Sequence, residues 1–167
     1  NKLCILSGKN HNKVYYYNYY TNCINFINNT LYNHYYGAFV YCDKYNMLYL
    51  IGGNNQINNE ISYISNNNIK KLSWNSLPSL NEERQEFSSL YYDEYIYIFF
   101  GYSSKKECNL PSIERINVNT NDKFEVVYIN EQISLSSLSC AKFSDGCGNN
   151  CILLLGGFDG KNYSDNC

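Results

Sequence analysis

The chain has 167 residues, 44% of them hydrophobic and 17% charged, and its 13 basic and 15 acidic residues give a formal net charge of −2. This length and composition fit one globular domain, and the absence of a basic excess argues against a nucleic-acid partner. Every uninterrupted apolar run is far shorter than the ~20 residues that a membrane-spanning helix needs, so we expect no membrane partner and a cytoplasmic protein.

The first residue is Asn1, and the short apolar run after it is too brief for a secretory signal, so we expect a piece of a longer protein. The eight cysteines are irregularly spaced and fall below the ~8–10% that is typical of a disulfide scaffold. We therefore expect reduced thiols.

Short runs of tyrosine, isoleucine, valine, phenylalanine and leucine recur along the chain, and each is closed by asparagine, aspartate, serine or glycine. This pattern predicts an all-β fold with tight turns, and no segment keeps the apolar stripe of a helix. In chain order the predicted strands include Leu3–Gly8, Glu60–Ile64, Ile69–Trp74, Phe87–Tyr92, Tyr95–Phe100, Ile113–Val118 and Lys123–Val127, with hairpin turns at Asn66–Asn68, Asp93–Glu94, Asn119–Asp122 and Asp145–Asn150.

An apolar strand that ends in glycine returns at a nearly constant interval. The repeat-ending glycines are Gly8, Gly53, Gly101 and Gly157, which lie 45, 48 and 56 residues apart. A unit of about 50 residues holds four strands with their turns, which predicts a blade of a β-propeller.

A large aromatic ring also recurs once per unit. Trp74 follows Gly53 by 21 residues and Phe124 follows Gly101 by 23, and Phe26 is a candidate for the same place in the first unit. Such a ring can fill the wedge between stacked blades, and glycine at a strand end permits positive φ and close backbone approach. The residues predicted to have these structural roles are Gly52, Gly53, Trp74, Gly101, Phe124, Gly156 and Gly157.

Together these features resemble the kelch-repeat family, in the segment Tyr49–Gly53, in Trp74, in Leu77-Pro78 followed by Arg84, and in Ile113–Ile116 followed by Asp122–Glu125. The resemblance implies a kelch-type β-propeller segment over residues 1–167, with about three four-stranded blades. Because propellers usually close with 4–8 blades, we expect part of a six-bladed ring that is completed by further blades from the same or another chain.

The resemblance also implies that loops on one propeller face bind a protein or peptide partner. Carried over, these loops are 9–13, 27–33, 54–59, 75–86, 103–111, 130–136 and the tail from 158. The candidate partner-binding residues are Arg84, Asn54, Asn55, Lys105 and Lys106. A guanidinium can bind a carboxylate through two parallel hydrogen bonds, but Arg84 can equally pair with Glu82, Glu83 or Glu86, and the two lysines can form a solvated loop tip.

Catalytic signals are sparse. Two histidines stand near no recognisable nucleophile motif, so we expect no enzyme and no cofactor. Cys140, Cys147 and Cys151 leave open a zinc site or a local disulfide, although no two-residue-spaced cysteine pair exists, and we expect no metal. Two tyrosine runs, Tyr15–Tyr17 and Tyr35-Tyr36, could stack on sugars or single strands, but they lack a basic groove.

The favoured function is a protein-interaction module or scaffold, such as the substrate-recognition part of a larger adaptor. Two alternatives remain. One is an enzyme of the galactose-oxidase branch of kelch-like propellers, which holds copper through histidine, tyrosine and a cysteine-linked tyrosine. The other is a purely architectural subunit of a large assembly.

Overall fold

A computed structural model describes residues 3–6, 12–30, 35–53, 61–65, 74–129 and 132–164. No residue in these ranges is helical; the chain there consists of strands, turns and irregular segments. The prediction of an all-β fold is therefore confirmed for the described part. The same part contains no helix long and apolar enough to cross a membrane.

The strands form small antiparallel sheets, and each sheet is built from strands that lie close together in the sequence. Sheet I has the order β1 (Leu3–Leu6), β2 (Lys13–Asn18), β3 (Cys23–Asn29), and sheet II has β4 (Ala38–Cys42), β5 (Met47–Ile51), β6 (Ile61–Ser65), β7 (Trp74–Leu77). Sheet III has the order β8 (Ser88–Tyr92), β9 (Tyr95–Phe99), β12 (Ser112–Asn117), β13 (Glu125–Ile129), and sheet IV pairs β14 (Ser139–Ser144) with β15 (Asn150–Leu155). Sheets II and III thus share one four-stranded up-and-down topology.

The predicted strands agree with these bounds to within one or two residues, apart from one. The strand expected at Ile69–Trp74 lies outside the described residues except for Trp74, where β7 begins; β7 continues to Leu77, so residues 75–77, expected to begin a loop, belong to a strand. The segment 103–111, expected to be a loop, instead contains a short hairpin of β10 (Tyr102–Ser103) and β11 (Cys108–Asn109). Two-residue strands are too short to leave an alternating pattern in the sequence.

The turn between β8 and β9 has a geometry that its length favours. Asp93 and Glu94 have φ values of 47° and 68°. Positive φ at both central positions is the type I′ turn, one of the two favoured turns of a two-residue hairpin, and its twist matches that of the strands. Strand β9 that follows has no exposed residue, as its continuous apolarity predicts.

The second strands of sheets II, III and IV end in the same backbone conformation. After Ile51, Phe99 and Leu155 come the pairs Gly52-Gly53, Phe100-Gly101 and Gly156-Gly157. Their φ values are 57° and 113°, 55° and 105°, and 63° and 117° respectively. Phe100 therefore adopts a left-handed conformation that the other two sheets assign to glycine, although this conformation is costly for a bulky residue.

Equivalent backbone hydrogen bonds join sheet II to sheet III and sheet III to sheet IV. Between sheets II and III, Gly53 N donates to Arg84 O (3.4 Å) and Glu86 N donates to Tyr36 O (2.9 Å). Between sheets III and IV, Gly101 N donates to Leu135 O (2.8 Å) and Ser137 N donates to Glu86 O (2.7 Å). Tyr36, Glu86 and Ser137 each stand two residues before the first strand of their sheet and have φ values of 64°, 55° and 54°.

Two apolar cores fill the spaces between neighbouring sheets. The first packs Val40, Tyr49 and Ile51 of sheet II against Ile96 and Ile98 of sheet III. The second packs side chains of sheet III against sheet IV, and its members include Phe99, Phe100, Leu138, Ile152 and Leu154. The first strands also lie side by side, because β8 contacts both β4 and β14.

Strand register locates the recurring ring. In sheet II, Trp74 pairs with Ile64 between the third and fourth strands. The corresponding place in sheet III is that of Phe124, one residue before Glu125, which pairs with Arg115. Phe124 is 3% exposed. In sheet I the corresponding pair is Tyr17 with Ile24. Phe26 therefore lies two residues past the expected place, and its side chain is 54% exposed. The aromatic character of a residue alone does not set its register.

Candidate functional site

Of the loops predicted to bind a partner, the described parts of 75–86, 103–111, 130–136 and the segment from 158 lie at one end of sheets II to IV, where the chain leaves a second strand or enters a first strand. We call this end the loop edge and the opposite end, which carries the first hairpin turn of each sheet, the turn edge. At the loop edge the segment 81–86 crosses beside the β10–β11 hairpin, since Gln85 and Tyr102 exchange backbone hydrogen bonds of 2.9 and 2.8 Å.

Arg84 does not present its guanidinium at the surface. The residue is fully buried, and its Nη atoms donate to Phe100 O (2.8 Å), Ser112 O (3.1 Å) and Ser112 Oγ (2.9 Å) and form an ion pair with Glu114. Burial lowers the pKa of the Arg84 guanidinium, and the Glu114 carboxylate opposes that change. The partner is thus neither an outside protein nor one of the local glutamates, because the side chain points inward from the loop.

Glu114 fixes the loop that carries Arg84. Its Oε2 accepts hydrogen bonds from Asn81 N (2.8 Å) and Asn81 Nδ2 (2.9 Å), and its Oε1 accepts one from Glu82 N (3.3 Å). A buried carboxylate that accepts several N–H bonds as well as an ion pair is satisfied rather than reactive. The Arg84–Glu114 pair therefore shapes the loop edge from beneath.

The sequence held a signal for Glu114 that residue spacing alone misses. Along β12 the inward positions are Ser112, Glu114 and Ile116, because burial alternates with a period of two. A glutamate in the inward register of a strand requires a buried cation or several donors. That requirement points to an arginine from a neighbouring loop.

Lys105 and Lys106 are exposed at the tip of the β10–β11 hairpin. Lys106 Nζ pairs with Glu82 Oε1 at 2.5 Å, while Glu83 Oε1 accepts from Ser103 Oγ at 2.7 Å and from Lys105 N at 2.5 Å. The ammonium of Lys105 forms no hydrogen bond and no ion pair within the described part of the chain. The hairpin is therefore held by two carboxylates of the 81–86 loop, and one cation projects from it.

Other predicted positions fall beyond the described residues. Asn54 and Asn55 lie in the segment 54–60, and both histidines, His11 and His34, are also outside, so the structure does not locate them. Within the described ranges no group of three His, Cys, Asp or Glu residues is placed to hold a metal ion.

The three cysteines near the chain end do not converge across the hairpin. Cys140 pairs with Leu154, whereas Cys151 pairs with Phe143, three residues further along β14. Three residues of strand span about 10 Å, which exceeds the reach of a disulfide. Cys140 instead accepts a hydrogen bond from Ser88 Oγ at 3.0 Å, and burial raises the pKa of its thiol.

The turn edge between sheets II and III is closed by polar contacts. Lys44 forms an ion pair with Glu94, Tyr45 donates its hydroxyl hydrogen to Asn119, and Asn119 Nδ2 donates to Glu94 at 2.8 Å. The hydrogen bond from Lys44 lowers the pKa of the Glu94 carboxyl. These contacts join three turns from two sheets.

No protein-family model matches the chain, and no curated protein matches it. Among solved structures the chain is similar to one titled "Structure of YjhT", with a TM-score of 0.64 at 10% sequence identity. The match covers 92% of this chain and 51% of that one, so the chain spans about half the length of YjhT. At this identity the likeness supports the shared all-β fold alone.

Proposed function

We propose that the chain is a segment of a kelch-type β-propeller that recognises a protein partner through its loop edge. The propeller arrangement is supported by the equivalent backbone hydrogen bonds at the two sheet junctions, Gly53 to Arg84 and Gly101 to Leu135. When the same hydrogen bond joins successive sheets, each sheet is related to the next by a similar rotation, which is the arrangement of stacked propeller blades.

The single observation that carries the recognition role is the braced hairpin at the loop edge. Lys105 and Lys106 stand on a hairpin that Glu82 and Glu83 hold in place. A charged projection that is already ordered loses little conformational entropy when a partner binds. The buried Arg84–Glu114 pair beneath it fixes the supporting loop, so the site is presented on a rigid scaffold.

Site-specific photocrosslinking tests this role. A benzoylphenylalanine at position 105 should give a light-dependent adduct with one protein species in the producing cells, and an excess of the unlabelled chain should compete it away. The matched control carries the same group at Lys123, an exposed residue of the turn edge, and should give no such adduct. Equal adducts at both positions, or none at position 105, would overturn the proposal.

A second variant tests the bracing directly. Glu83→Gln keeps the size of the side chain but weakens the charge-assisted bonds to Ser103 and to the backbone of Lys105. The adduct yield at position 105 should fall severalfold in this variant. An unchanged yield would show that the ordered hairpin plays no part in recognition.

A further inference from the structure

The turn edge between sheets III and IV contains a cleft of about 450 Å³. Its walls are Tyr91, Tyr92 and Asp93 from sheet III and Lys142, Phe143 and Asn150 from sheet IV. A volume in the range of about 300–1,000 Å³, aromatic walls and a few polar groups are typical of small-ligand sites. The cleft lies at the opposite end of the sheets from the loop edge.

The corresponding place between sheets II and III is closed, which makes the open cleft a specific feature of one junction. There, Lys44 pairs with Glu94 and Tyr45 bonds to Asn119 across the gap. Between sheets III and IV, Asp93 and Lys142 line the same cleft without an ion pair, and neither side chain has a hydrogen-bond partner within the described residues.

Two opposite charges in one cleft favour a ligand that carries both signs. An anion at Lys142 alone would face the carboxylate of Asp93, and a cation at Asp93 alone would face the ammonium of Lys142. A ligand with an ammonium at one end and a carboxylate at the other satisfies both groups. The cleft therefore has the electrostatic complement of a zwitterion.

The remaining walls indicate what lies between the two charges. Tyr92 is half-buried and lies on the same face of β8 as Leu90, which packs toward sheet IV, so its ring offers an apolar side chain an aromatic surface to cover. Asn150 Oδ1 accepts a hydrogen bond from Ser144 Oγ at 3.2 Å, which orients its amide N–H groups as donors toward other acceptors. A peptide carbonyl is such an acceptor.

We propose that this cleft is a second binding site, which takes a zwitterionic peptide of two or three residues with an apolar side chain. The ammonium binds Asp93, the carboxylate binds Lys142, and the apolar side chain packs on Tyr92. The site is independent of the loop edge, so its failure would leave the recognition role untouched.

Calorimetric titration of the chain with the dipeptide leucylphenylalanine tests this site. We expect a dissociation constant of roughly millimolar or below. Asp93→Asn and Lys142→Gln should each weaken binding about tenfold, because each removes one charge-assisted contact. The control Lys123→Gln, an exposed change on the same edge, should bind as the unsubstituted chain does.

End-blocked peptides identify which charge meets which residue. N-acetylation should weaken binding to the unsubstituted chain but have no further effect on Asp93→Asn, and C-amidation should show the same relation to Lys142→Gln. Shifts of the Asn150 side-chain amide signals in NMR spectra would locate the peptide independently. No heat and no shift at 10 mM peptide (roughly ten times the expected constant), or binding that both substitutions leave unchanged, would overturn the proposal.

Discussion

Ser137 donates its backbone amide hydrogen to the carbonyl oxygen of Glu86, 2.7 Å away, across the junction between sheets III and IV. Glu86 makes the same bond to Tyr36 at 2.9 Å, one junction earlier. These residues are 51 and 50 apart along the chain, so the period seen in the glycines also spaces the contacts between sheets. All three have left-handed backbone conformations, and at Glu86 and Ser137 the amide faces the preceding sheet.

Loss of the buried cation should be costly. Leu135 occupies the position before sheet IV that Arg84 occupies before sheet III, so Arg84→Leu introduces a residue type that this position accepts. The substitution leaves the Glu114 carboxylate buried without its ion pair. We expect a loss of about 3–5 kcal/mol in the free energy of unfolding, measured by urea denaturation. A loss below about 1 kcal/mol, the value of an exposed pair, would contradict the buried arrangement.

A companion substitution separates charge from packing. Glu114→Gln in the Arg84→Leu background removes the unpaired charge and keeps an acceptor for the amide of Asn81. The double variant should be more stable than Arg84→Leu alone. The control Arg115→Leu breaks the exposed pair with Glu125, and it should cost about 1 kcal/mol or less.

The repeat could be predicted because it leaves local marks in the sequence. Strand β9, the Asp93–Glu94 turn and the strand-ending Gly53 and Gly157 each follow from rules that act over a few residues. The partner of Arg84 could not be found in this way, since Glu114 is 30 positions distant and becomes its neighbour only when β12 joins sheet III.

Phe100 marks another limit of sequence reasoning. A single glycine at Gly101 suggests a weaker repeat, yet the backbone at Phe100 matches that at Gly52. Packing in the core between sheets III and IV offsets the strain, because the ring of Phe100 is 3% exposed. Tertiary packing, rather than local backbone preference, therefore determines the conformation of Phe100.

Glycine substitutions should distinguish close packing from backbone strain. Gly101 and Gly160 have nearly equal φ values of 105° and 100°. A Cβ at Gly101 would lie 2.8 Å from Phe87 Cβ and 2.9 Å from Gln85 O, whereas one at Gly160 would meet nothing within 4 Å. Both alanine variants should lose about 1–3 kcal/mol through strain, and Gly101→Ala should lose about 1–3 kcal/mol more.

Thermal and urea denaturation of the two variants provide the measurement. Equal losses at Gly101 and Gly160 would mean that the segment 85–87 does not approach the strand end as closely as described. A larger loss of stability in Gly101→Ala than in Gly160→Ala would support the close contact between the end of β9 and residues 85–87, which lead into β8.

At Phe100 the glycine variant should be more stable than the alanine variant, the reverse of the usual order within a strand. Both remove the buried ring, at a cost of about 3–5 kcal/mol. Because φ is 55° there, Phe100→Gly should be more stable than Phe100→Ala by about 1 kcal/mol. At Phe99, which is buried within β9, the alanine variant should be the more stable one by about 0.5–1 kcal/mol. The same order at both positions would contradict the left-handed conformation of Phe100.

The β14–β15 turn should respond to acid through Asp145. Its Oδ1 accepts hydrogen bonds from Cys147 N (2.9 Å) and Asn149 N (2.8 Å), and its Oδ2 accepts one from Asn149 Nδ2 (2.8 Å). The hydrogen bond from the Asn149 side chain, followed by those from the backbone, holds the pKa of the Asp145 carboxyl below its usual 3.8. NMR titration of the carboxyl carbon should therefore give a midpoint below that of an unstructured aspartate.

The sign of the stability effect follows from this lowered pKa. A carboxyl that is more acidic in the folded state stabilises the fold above its ordinary pKa, and the contribution is lost as the pH falls through the folded value. Between pH 5 and 3, bounds set roughly by the ordinary aspartate pKa, the urea midpoint of the unsubstituted chain should fall more than that of Asp145→Asn. The control Asp122→Asn, at an exposed position on the same edge, should keep the full acid dependence. Identical pH profiles for the unsubstituted chain and Asp145→Asn would show that these hydrogen bonds do not stabilise the turn.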